Sequence, residues 1–151
     1  MAGPSPDDLA LAGRLMAEAP AATLAVIDAD GMPYAALTAP ARAEDGAPLA
    51  LASDLGAHGR ALKGDGRASL LFMGVVDPAQ PLKTARLTVK GQAAPALPGD
   101  REAYLARRPD AELYIDFGDM RLYRIAPTGG QLVAGFGRAV GFSAADILTA
   151  R

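Results

Sequence analysis

LALASDLGAHGRALKGDGRASLLF, residues 49–72, decides the reading of this chain. It divides into a short apolar strand, a polar turn, one or two helical turns over residues 57–63, a glycine break at Gly64-Asp65-Gly66 and a second apolar run. A connection this short argues against the long helical crossover of a parallel βαβ layout. The turn holds His58, the one histidine, beside Ser53 and Arg60. A hydroxyl, an imidazole and a guanidinium ahead of a helix suit an anion such as phosphate, because backbone N–H groups and the helix dipole converge there. The same residues also read as a plain solvated connection.

Outward from this stretch the elements are short. Ser5-Pro6-Asp7-Asp8 is a helix start, with a capping serine, a proline suited to the first turn and acids at the positive end of the dipole. Leu9, Leu11, Leu15 and Met16 continue a helical stripe up to Pro20. Residues 23–28 and 33–43 read as two strands joined across Asp28-Ala29-Asp30-Gly31. Residues 68–76 read as a strand apolar on both faces. In residues 85–93, Leu87 and Val89 face one way and Arg86, Thr88 and Lys90 the other. A helix opens at Pro98-Gly99-Asp100, with Tyr104 and Leu105 on its apolar side, and Pro109 breaks it before a second short helix over 110–117. Residues 120–125 and 131–136 read as a final hairpin across 127–130, and Ser143 caps a last helix over 144–149. Six or seven hairpin-connected strands with few helices point to a mainly β, closed or nearly closed antiparallel barrel.

The composition limits function. The chain has 151 residues, half of them hydrophobic, enough for one domain with its own core, and no linker or repeat divides 1–151. A net charge of −2 gives no basic footprint for nucleic acid or an anionic membrane. With no cysteine and one histidine, thiolate chemistry, iron–sulfur ligation, disulfides and a multi-histidine metal site within one subunit are excluded. No basic n-region opens the chain, and no apolar run approaches the roughly 20 residues of a membrane span. Cytoplasmic placement is the expectation. Twelve of the fifteen cations are arginine, which suits a GC-rich, alanine-rich genome.

Other residues carry two readings each. Arg86 is a solvent-facing strand residue or a reach toward an anionic cofactor. Thr38 is an ordinary strand threonine or a hydroxyl beside a planar ligand. Gly135-Phe136-Gly137-Arg138 is a bulge or a close approach to a ligand or second subunit. The acidic pairs Asp7/Asp8, Asp28/Asp30, Glu44/Asp45 and Asp116/Asp119 read as a helix start and turns, and glycosidase chemistry is set aside.

Ala29-Asp30-Gly31-Met32-Pro33-Tyr34, Ser53-Asp54-Leu55 followed by His58 and Leu62, Arg67-Ala68-Ser69-Leu70-Leu71-Phe72, Arg86-Leu87-Thr88-Val89 with Gly91, and Gly135-Phe136-Gly137-Arg138-Ala139 follow one another in a specific order and spacing. In these the chain resembles the FMN-binding split-barrel flavoproteins related to pyridoxamine 5′-phosphate oxidase, in the branch that includes the HugZ-type heme-utilisation proteins. The resemblance runs from about residue 17 to 142. It implies a six-stranded split barrel, a bacterial homodimer, and FMN in two symmetric clefts at the dimer interface. It places Leu37 and Thr38 along the isoalloxazine, Ser53, His58 and Arg60 at the phosphate, Arg86 at the border of the site, and Arg138 as a contribution from the partner subunit.

The chain departs from the family's pattern at the phosphate turn. Ala57-His58-Gly59 stands where the oxidases have Ser-Arg-Lys, and Gly59 where HugZ-like chains have threonine. A lost charged-group hydrogen bond costs about 1.5–3 kcal/mol, or roughly ten- to a hundredfold in affinity. The functional expectation is a flavin-dependent oxidoreductase acting on a small-molecule substrate, its catalytic residues unassigned. The alternatives are a heme-binding protein using His58, with Arg138 as a distal group, and a dimeric binding module without cofactor.

Overall fold

The computed structural model describes residues 3–151, so Met1 and Ala2, the first two residues of the expected domain, lie outside it. Helix α1 (Pro6–Glu18) starts as its sequence dictates. The Ser5 side chain accepts from the Asp8 N–H while the Asp8 carboxylate accepts from the Ser5 N–H. Its Ala12, Leu15 and Met16 face inward. Strands β1 (Ala22–Ile27), β2 (Pro33–Thr38), β3 (Ala41–Arg42) and β4 (Pro48–Ser53) follow, then α2 (Ala57–Gly64), β5 (Arg67–Met73) and β6 (Arg86–Pro95). Helix α3 (Asp100–Arg107), β7 (Met120–Gly135), β8 (Arg138–Phe142) and α4 (Ala144–Thr149) complete the chain.

The strands form one antiparallel sheet in the order β2-β1-β5-β6-β7-β4-β3, with β8 also on β7. β7 carries β6 along one edge; along the other it takes β4 against residues 120–124 and β8 against residues 130–135. The sheet curls until β2 approaches β4, and α2 touches β1, β2 and β4. This is the mainly β split-barrel architecture, with eight strands where six were expected. Leu24, Val26, Leu70, Phe72, Leu87, Val89, Ile125 and Leu132 fill the concave side against α1 and α4. A smaller cluster, Leu49, Tyr104, Ala111 and Ile115 among alanines, lies under α3.

Four local expectations are corrected. Residues 33–43 are two strands, because Pro40 has no N–H to continue the ladder and β3 turns to pair with β4. β5 alternates, with Ala68, Leu70 and Phe72 buried, Ser69 and Leu71 half-buried and Arg67 and Met73 exposed, so it is buried on one face only. Residues 110–117 form only a single 3-10 turn, Pro109–Leu113, and a bend. The final hairpin across 127–130 does not exist. β7 runs straight through, since the register shifts at Lys90/Gly91 and leaves Thr128 as a bulge that absorbs Pro127. The hairpin lies further on, between β7 and β8, where Gly137 takes φ +80.

Candidate functional site

The turn between β4 and α2 is shaped by close packing. Gly59 sits directly over the Ser53 carbonyl, and a Cβ there would overlap that oxygen. A side chain at this position would require the turn to move. His58 is half-buried, its imidazole folded back toward Gly56. Arg60 is exposed, and its guanidinium donates to the Leu55 carbonyl at 2.5 Å. The structure thus brings Ser53, His58 and Arg60 together around one turn.

The polar groups there differ in how free they are. Ser53 Oγ donates to Asp119 Oδ2 at 2.5 Å and accepts from the Leu55 N–H at 3.1 Å. The Asp119 carbonyl accepts from the Asp54 N–H at 2.7 Å, so two bonds pin the turn to the segment before β7. Asp54 is bound by Arg121 Nε at 2.8 Å and Lys63 Nζ at 3.4 Å. Burial opposes ionisation of Asp54, yet its bonds to Arg121 and Lys63 hold the carboxyl below its ordinary value. α2 itself starts bare. Gly56 in the capping position offers no side chain, so the first-turn N–H groups have no side-chain acceptor. Beyond Arg60 lies a cleft of about 710 Å³ between α2 and the β1–β2 turn, bordered by Asp28, Tyr34, Ala57, Ala61 and Arg67. Arg67 is held by Asp65 at 2.6 Å, which lowers the Asp65 carboxyl to about 2.

The remaining expected site residues lie along a band across the sheet. The register Thr38–Ala22–Phe72–Leu87 puts Thr38 three strands from the base of Arg86, about 14 Å. Thr38 is buried, facing in, while Leu37 stands 77% exposed on the outer side. Arg86 Nη1 donates to the Leu82 and Thr84 carbonyls, both at 3.0 Å, and so holds the loop before β6. Arg138 Nη2 donates to Asp8 Oδ1 at 2.7 Å. In this chain Arg138 thus fastens the β7–β8 hairpin to α1.

Two residues of this region escaped the sequence reading. Sequence alone explains Asp119 and Asp8 locally, as part of a turn and as a helix start. Their long-range partners, Ser53 and Arg138, lie 66 and 130 residues away, and nothing near either acid in sequence signals the contact.

A curled antiparallel sheet with a short helix between its fourth and fifth strands defines the split-barrel class. The match to a family is explicit: residues 12–134 match pyridoxamine 5′-phosphate oxidase. The chain belongs to that family. One solved structure shares 38% identity over 98% of this chain and 100% of its own, with a TM-score of 0.85. A heme binding protein from Mycobacterium smegmatis matches at 28% identity and a TM-score of 0.86 over 98% of this chain, which spans 62% of that protein. HutZ, the heme storage protein from Vibrio cholerae, matches in fold at 20% identity and a TM-score of 0.62, over 87% of this chain and 94% of that one. No curated protein matches the chain. No helix among the described residues is long and apolar enough to cross a membrane.

Proposed function

We propose that the chain is a homodimeric FMN-binding protein that performs flavin-dependent oxidoreduction on a small molecule. The observation that carries this reading is the bare start of α2 with Arg60 and His58 beside it. These groups fit a phosphate by charge and by donor set, whereas Ser53 does not, its proton being committed to Asp119. Leu37 on the outer side of β2 offers apolar surface for a flat ring. Bound FMN would supply the hydride and electron transfer; the protein would hold its phosphate and cover its ring.

A heme reading has its own support in the half-buried His58, the chain's one imidazole, and in the 28%-identical heme binding protein. Titration of the purified protein separates the two. Flavin fluorescence quenched by stoichiometric binding, with a dimer in light scattering, supports the first reading, and no binding even at high micromolar FMN overturns it. A Soret shift on heme addition that disappears in His58→Ala selects the second.

A further inference from the structure

We propose that Asp119 is a specificity-determining residue: its carboxylate closes the Ser53 hydroxyl to phosphate, so any phosphate at this corner is held by α2 and Arg60 alone. The inference rests on placing the ligand's phosphate at this turn, as above.

A serine hydroxyl has one proton. At Ser53 that proton goes to Asp119 Oδ2 at 2.5 Å, and the oxygen already accepts from the Leu55 N–H. A phosphate oxygen is an acceptor, so it reaches Ser53 only by displacing the carboxylate. It would then stand beside the carboxylate it displaced, like charge against like. The Asp119 backbone is fixed beside the turn, its carbonyl accepting from the Asp54 N–H at 2.7 Å. The cations that would offset its charge are engaged. Lys63 and Arg121 both bind Asp54. The Ser53 side of the turn thus accepts a hydrogen-bond donor more readily than an oxyanion. A phosphate at this corner is then held by the start of α2 and Arg60, without the Ser53 hydroxyl.

Backbone amide NMR with inorganic phosphate as the probe tests this on the whole protein. In the wild type, phosphate shifts the Ala57–Gly59 amides weakly, and Ser53→Ala changes nothing. Asp119→Ala tightens phosphate binding by about tenfold or more, the worth of one charged-group hydrogen bond. That gain disappears in the Asp119→Ala/Ser53→Ala double variant. Asp119→Asn, which keeps the shape, serves if the alanine variant does not fold, and it also gains because the charge is gone. A wild-type affinity that falls on Ser53→Ala overturns the proposal, as does the absence of any gain on removing Asp119. The phosphate result needs no flavin, so a protein that shows it yet binds neither FMN nor riboflavin keeps this inference and loses only the proposed function.

Discussion

Helices α4 and α2 meet the same barrel on different terms. α4 is closed at both ends. Ser143 and Asp146 form a capping box at its start. At its end Arg42 donates to the Ile147 and Ala150 carbonyls, both at 2.6 Å, and to the Gly46 carbonyl at 2.9 Å. Burial, with Arg151 nearby, pushes the Arg42 guanidinium down to about 10. α2 has a glycine where a cap would be, and its start is left open. The difference separates two uses of polar groups. At α4 they are spent on holding the chain together, while at α2 donors are left over, and leftover donors beside a cleft are what an anionic ligand needs.

The largest effect follows from breaking the closed end. Arg42→Ala removes three bonds from a charged donor and orphans the Ile147 carbonyl, while the Ala150 carbonyl keeps the Arg151 side chain at 3.2 Å. We expect a loss of about 3 kcal/mol, read as a fall in Tm of about 6–12 °C for a chain of this size. Ser143→Ala, which removes only the cap, costs about 1 kcal/mol in the same assay. Equal Tm values for Arg42→Ala and wild type would mean that the clamp contributes nothing.

Acid sets a closed ion pair near α3 apart from the open side of α2. Asp100 bridges to Arg124 near α3, with its side chain 5% exposed and that of Arg124 15% exposed. The side-chain bond to Arg124 is the chief reason its carboxyl lies below the ordinary 3.8. Asp65, on the cleft beside α2, is lowered to about 2 by Arg67 but is open to solvent. Depressed carboxyls stabilise the fold above their unfolded value and lose that contribution as pH falls through the folded one. Stability therefore declines below about pH 4 toward pH 2. Asp100→Asn should flatten this decline by about 1 kcal/mol or less, and Asp65→Asn should barely change it. Urea midpoints measured across that range check both.

Much of this was legible in sequence because it is local. The Ser5 and Ser143 caps, the alternation around Leu87 and Val89 and the short α2 each follow from residues within one or two turns of each other. Pro127-Thr128-Gly129-Gly130 misled for the same reason. Locally it is turn chemistry, and only the facing Lys90/Gly91 step shows that the extra residue is a bulge. The site divides likewise. Ser53, His58 and Arg60 were visible as neighbours, but whether the Ser53 proton is free depends on Asp119, which folding alone brings there. Arg138 was visible as a late arginine after a glycine pair, while its bond to Asp8 belongs to the tertiary structure.

The smallest stability change sharpens the comparison most, by giving α2 the cap that α4 has. Gly56 lies at φ −82, ψ 152, the extended conformation of a capping residue, and a Cβ there makes only ordinary contacts with His58 and the Ser53 carbonyl. Gly56→Asp therefore fits without strain. Its carboxylate accepts from the first-turn N–H groups and interacts favourably with the helix dipole, a gain of only a few tenths of a kcal/mol over glycine. The same carboxylate occupies the donors assigned to the ligand and brings a negative charge to them. If α2 is open for the sake of an anion, this variant melts slightly higher than wild type and binds phosphate or FMN at least about tenfold more weakly. A variant that gains the cap and binds as before would show that the bare start of α2 serves no ligand.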